Sequence, residues 1–225
     1  MKMNEMKRIW IGVALLLAIA GRAQAEEVSA ADQERYEKAA SWVASLELDD
    51  EVKADRLTEV VATHLIAVRN WHNSHPADSV PAGINPKTGE RLSKLDRSII
   101  ADSAMPGSTH EALMTGLRAD LEEAQVQAIL DKYTVGKVPF TMKAYRMIVP
   151  DLTEKVIAVL QSNLEQAREM AVDYKNMKQI SAIFEIYKTK NEDYLNSNGR
   201  SWRQLYKAYS KLSKAEKEER ERNLK

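Results

Sequence analysis

The sequence predicts an all-α fold, a single multi-helix bundle-like domain behind an N-terminal signal peptide. Apolar residues recur at helical spacing through most of the chain. Capping residues, glycines and prolines punctuate those stretches, whereas no alternating strand pattern and no solenoid-length repeat interrupts them.

Residues 151–195 organise the rest. Val156, Ile157, Leu160, Leu164, Ala167, Ala171 and Tyr174 fall on one side of a helix for which Asp151 and Glu154 are the expected capping pair. Ile180, Phe184, Tyr187, Tyr194 and Leu195 form a second stripe with Asn191 near its middle, and Asn198-Gly199 supplies the stop. Two such helices each have one apolar face to bury, so both must pack on other elements.

Upstream, 32–46 reads as a helix with Tyr36, Ala39, Ala40 and Val43 inward and Trp42 at the edge. A longer helix over 51–73 turns Leu57, Val60, Val61, His64, Val68 and Trp71 to one side, with His72 at its border. Periodicity fails over 74–107, punctuated by Pro76, Pro81, Pro86, Pro106, Gly83 and Gly89, except for a short helix at 92–101. A segment of that kind inside a compact domain is either functional or a tolerated excursion. Ser108 and Glu111 read as the capping box of one helix carrying Leu113, Leu117, Leu121, Ala124 and Ala128, ended by 133–136. Further helices are expected at 140–148 and from Ser201, the latter capped by Ser201 and Gln204. The domain is placed at 26–212, with 213–225 a charged C-terminal tail or frayed helix end.

The segment 1–25 has Lys7-Arg8, an apolar run over 9–20 and small residues at Ala23 and Ala25, the pattern of a cleaved secretory signal. The expectation is a periplasmic or secreted protein. The sequence contains no cysteine, so neither a disulfide framework nor a lipid-anchor cysteine is available and stability must come from the core. Setting aside Lys2, Lys7, Arg8, Arg22 and Glu5 reduces 33 basic and 33 acidic residues to 29 and 32. That balance argues against nucleic acid or an anionic membrane as partner.

No cofactor motif is present, and no metal set is read. His72, His75 and Asp78 are close in sequence, but Pro76 keeps them off a shared helical face. Ser103 and Ser108 lie in no nucleophile elbow. Glu165, Arg168 and Glu169 are the densest charged set of the central helix, either an exposed ion-pair row or one rim of a groove. Asn191, an amide on an apolar stripe, requires a hydrogen-bond partner from protein or ligand.

The segments AQVQAILDKYTVG (124–136), VPDLTEK (149–155), LEQAREMAVD (164–173) and IFEIYKTKNEDYLNSNG (183–199), together with the stretch around Tyr145, carry a resemblance. They resemble a family of uncharacterised secreted helical proteins of polysaccharide-degrading bacteria, described as sugar-binding. Residues 46–75 resemble the family's N-terminal part more loosely. The chain departs from the family pattern where Thr189-Lys190 replaces a glycine-arginine pair, and the helix from Ser201 extends it. The resemblance implies a helical secreted domain with a carbohydrate partner and names no catalytic residues.

The resemblance thus leads to an expected function of carbohydrate binding linked to polysaccharide use, with no catalytic residue assigned. The ligand is expected where the central helix pair meets the 69–75 end of the long helix. Tyr145 and Tyr187 are the expected platforms, Arg168 and Asn191 the hydrogen-bonding groups, Glu165 an accessory acceptor, with Trp71 and His72 at the edge. Two other classes remain open. A polysaccharide-active enzyme would use a carboxylate pair drawn from Glu165, Glu169 and Asp173. A periplasmic helical chaperone, suggested by the Asp151-Leu152-Thr153 stretch, would expose an apolar concave face.

Overall fold

The computed structural model describes residues 29–86 and 88–224, and the segment 1–25, expected to be a signal peptide, lies outside them. The protein is all-α, with ten α-helices and no strand among the described residues. In order these are α1 (Ala30–Ala44), α2 (Glu51–Ser74), α3 (Lys94–Ser103), α4 (Gly107–Asp120), α5 (Glu123–Thr134), α6 (Lys137–Ile148), α7 (Glu154–Ala171), α8 (Met177–Ser197), α9 (Trp202–Ser210) and α10 (Lys214–Arg222). None is long and apolar enough to cross a membrane.

Their apolar stripes meet in two core clusters. Ala39, Val43, Leu57, Val61, Leu113, Leu117, Val126 and Ile129 join α1, α2, α4 and α5. The second cluster takes Val138, Met142, Tyr145, Leu160, Leu164, Ile180, Phe184 and Leu195 from α6, α7 and α8. The end of α7 joins the two, because Ala171 belongs to the second cluster and Val172 to the first.

Several boundaries differ from expectation for local reasons. The helix expected to run from Ser108 past Ala124 is two, because Leu121 is extended (φ −121°, ψ 145°) and Glu122 with Gln125 caps α5. The break lets Leu121 and Val126 both reach the core. Ser108 lies inside α4, whose N-cap is Pro106 and has no side-chain bond. Thr153, not Asp151, caps α7 by accepting from the Val156 N–H at 3.4 Å. Asp151 pairs with Arg200 at 3.2 Å instead. Ser201 makes no side-chain cap; Asn196 Oδ1 accepts the Trp202 N–H at 2.9 Å.

The stop after α8 is as expected. Gly199 takes φ 77°, and the N–H groups of Gly199 and Arg200 reach back to Asn196 and Leu195, closing a Schellman motif. The described residues within 75–93 hold one 3₁₀ turn and an isolated bridge between Ile84 and Arg91, and two hydrogen bonds tie Val80 and the flanking helices in place. Arg97 Nε donates to the Val80 carbonyl at 2.9 Å, and Trp71 Nε1 to that of Ala101 at 3.1 Å. Residues 214–222 are a helix with a Ser213–Glu216 capping box, held on α6 by Arg220 to the Met147 carbonyl at 2.9 Å.

Candidate functional site

A cleft of about 850 Å³ opens where α1, α2, the C-terminal end of α5 and the α7–α8 turn converge. Its volume lies within the range of small-molecule sites, about 300–1,000 Å³. Helix α1 contributes Arg35, Lys38 and Trp42, a row at the polar border of its buried Ala39–Val43 stripe. Arg69 and Val68 come from α2, while Asp131, Lys132 and Tyr133 come from the last turn of α5. Tyr174 and Lys175 close it from the α7–α8 turn.

The rim between α5 and α6 has an unusual backbone. Val135 and Gly136 are both left-handed, at φ 54° and φ 65°. A β-branched residue rarely takes that conformation, which costs on the order of 1–3 kcal/mol. This turn ends α5 abruptly and leaves its last turn open to the cleft.

Three aromatic and five basic side chains share the lining with aliphatic residues such as Leu65, Val68, Val172 and Ile180. Tyr133 meets Trp42 edge-to-face at 4.8 Å, and Lys38 Nζ lies 4.9 Å from the Trp42 ring centroid. The Tyr133 hydroxyl, Arg35 Nε and Arg69 Nη1 are buried atoms with no hydrogen-bond partner. Burial and the charge of Asp173 push the Tyr133 phenol well above its ordinary pKa, so it stays protonated and able to donate. Arg69 pairs with Asp32 through its other terminal nitrogen.

Behind Tyr133 lies a second polar cluster. Asp173 stands between two imidazoles, with His64 Nε2 at 3.0 Å from Oδ1 and His110 Nδ1 at 2.9 Å from Oδ2. His64 is buried on the inner side of α2, as its place on the apolar stripe predicts. Burial opposes ionisation of Asp173, but the hydrogen bonds and charges of His110 and His64 prevail and lower its pKa. The bond to Asp173 raises that of His110 against desolvation, with help from Glu169, whose Oε1 lies 3.7 Å from His110 Nε2. His110, Glu169 and Asp173 face an open groove of about 530 Å³ over α7.

The seven residues singled out in the sequence are distributed over different surroundings. Glu165 and Tyr187 line the α7 groove. Glu165 also lines an adjoining cavity of about 620 Å³, together with Arg168. Arg168 is buried and gives Nη1 to Asp131 at 2.7 Å, while its Nε and Nη2 have no partner. Asn191 is fully buried, accepting from Asn163 at 2.7 Å and donating to the Leu160 carbonyl at 3.1 Å, so protein groups meet the requirement of its amide. Tyr145 is buried beside α9, its hydroxyl donating to the Lys188 carbonyl at 3.3 Å.

Trp71 stacks on His75 at 3.7 Å, and His72 Nδ1 lies 2.6 Å from Asp102 Oδ2. Through Asp102 the end of α2 reaches the beginning of α8, where Gln179 Nε2 donates to the same oxygen at 2.6 Å. Asn191 lies twelve residues farther on, about 18 Å along the helix at 1.5 Å per residue. That span separates the two ends of the expected site.

The cleft residues Arg35, Lys38, Tyr133 and Lys175 are not singled out by sequence reasoning, because elements distant in sequence assemble them. The available signal is Trp42 at the border of a stripe with Lys38 and Arg35 one and two turns before it, a mixed aromatic and basic edge.

A family model described as "Protein of unknown function (DUF3826)" matches residues 32–215. No curated protein matches the chain.

Proposed function

We propose that this chain, which belongs to the DUF3826 family, is a carbohydrate-binding protein whose ligand occupies the cleft between α1, α2, α5 and the α7–α8 turn. Secretion, expected from the 1–25 segment, would place it where polysaccharide fragments occur. The observation that carries the reading is the lining: the rings of Trp42, Tyr133 and Tyr174 beside the donor side chains of Arg35, Lys38, Arg69, Lys132 and Lys175. Sugar rings offer C–H faces for aromatic contact and oxygens for fixed donors, so such a wall meets both demands.

A glycan array probed with the purified protein, with a product assay on the polysaccharides that bind, tests this reading. Binding without products is expected, and absence of saccharide binding in both array and calorimetry contradicts it.

One observation favours catalysis as a second reading. His110 is oriented by Asp173 through Nδ1, leaving Nε2 toward Glu169 and the open groove, an arrangement suited to proton transfer. Products that disappear on His110→Ala substitution would move the protein to this class.

A further inference from the structure

We propose that the saccharide taken by the cleft is an acidic one, bearing carboxylate or sulfate groups. This rests on the carbohydrate reading above and adds the ligand's chemical class. The cleft is rich in donors and poor in acceptors. Five cationic side chains line it, Arg35, Lys38, Arg69, Lys132 and Lys175, against one carboxylate, Asp131. One oxygen of Asp131, Oδ1, accepts from Arg168 at 2.7 Å.

Asp32 holds Arg69, the exposed Glu34 lies 3.6 Å from Arg35 and Asn73 Oδ1 accepts from Lys175 Nζ at 2.6 Å, and none of these three partners lines the cleft. A neutral sugar hydroxyl usually donates as well as accepts, and this wall offers few acceptors for its proton. A carboxylate or sulfate only accepts, which matches guanidinium, ammonium and phenol donors.

The concentration of positive charge also runs against the rest of the chain. Beyond residue 25 acidic residues outnumber basic ones, 32 to 29, so the cleft is a local reversal of sign. Desolvation and the neighbouring Arg35 charge lower the pKa of Lys38. A bound anion would relieve that repulsion, which gives the site a differential interaction with charged over neutral ligands.

The test is calorimetric titration of the protein with a uronic-acid trisaccharide, its methyl ester and a sulfated trisaccharide, at about 50 and about 300 mM salt. At least one charged sugar should bind about tenfold or more tighter than the ester, as expected for one added charge-assisted hydrogen bond, and should weaken in salt. Which charged sugar binds tighter identifies carboxylate or sulfate as the recognised group. The double variant Lys132→Gln/Lys175→Gln alters two exposed side chains and should remove most of that preference. Equal affinity for ester and charged sugars would overturn the inference while the carbohydrate reading stands. A charged-sugar preference that survives both this variant and Arg35→Gln/Lys38→Gln would also overturn the inference, because the charge would be read outside the cleft. No binding of any of the three would overturn the inference, and together with an empty glycan array it would overturn the carbohydrate reading as well.

Discussion

Asn191 shows how a polar residue on an apolar stripe is resolved. Its side chain joins α8 to Asn163 and to the Leu160 carbonyl of α7, inside a core that excludes water. Asn191→Ala would leave the Asn163 amide and the carbonyl unpaired, at a cost of about 2 kcal/mol. Chemical denaturation should show that loss, and saccharide affinity of the folded protein should not change. Arg168 is bound by the same logic with higher stakes. Asp131→Ala would strand a buried guanidinium, and the expected loss is about 3 kcal/mol in the same measurement. A loss below about 1 kcal/mol would show that the pair is solvated in solution.

The Asp173 cluster predicts a pH dependence whose sign follows from the two shifts. His110 has a raised pKa, so its contribution is fully present below its ordinary value of 6.5 and is lost as pH rises through the folded value. Asp173 has a lowered pKa, so its contribution is present above 3.8 and is lost as pH falls through the folded value. Both operate together between those limits. His110→Ala should therefore cost more stability at pH 5 than at pH 8.5, by about 1 kcal/mol, the order of a partly exposed charge-assisted bond. Equal cost at both pH values would contradict the assignment.

At the scale of elements, close approach and backbone conformation make separate predictions. A methyl group at Gly116 of α4 would lie 2.7 Å from Val60 Cγ1 and 2.8 Å from Cγ2 on α2. Alanine improves helix propensity by about 1 kcal/mol, but Val60 is stiff at χ1 and overpacking costs about 1–3 kcal/mol. Gly116→Ala should thus destabilise, and adding Val60→Ala should recover part of the loss. Val135 predicts the opposite sign. It is largely exposed and left-handed, so Val135→Gly should raise the melting temperature by an amount equivalent to about 1 kcal/mol.

The elements also mark where the sequence is readable. The existence of the helices follows from periodicity, and His64 is placed inward because it shares a stripe with Leu57 and Val61. The break at Leu121 escapes such a reading because Leu117, Leu121 and Val126 remain apolar across it and only the Glu122–Gln125 cap marks the new start. The cap of α7 moves by two residues, from Asp151 to Thr153, since both are good N-cap types and the choice is settled by Arg200 holding Asp151. The cleft is not legible, because no single element shows its charge or its unpaired donors.

On the scale of the whole molecule, the two apolar clusters meet at the Ala171–Val172 end of α7 without a linker between them. The described residues should unfold in one transition with the loss of a mainly helical circular dichroism signal. The same junction carries Asp173, Tyr174 and Lys175, of which the last two line the cleft, so it joins the two cores and also supplies part of the cleft wall. The proposed site therefore sits at the seam of the fold, where side chains from four elements are held by packing on both sides. The most direct test of that placement is an NMR titration of the isotope-labelled protein with the saccharide selected by the glycan array, following backbone amide shifts. The cleft account predicts perturbations concentrated at residues 35–42, 65–69, 131–136 and 174–177. Perturbations concentrated instead around Glu165, Glu169 and Tyr187 on the α7 groove would contradict it.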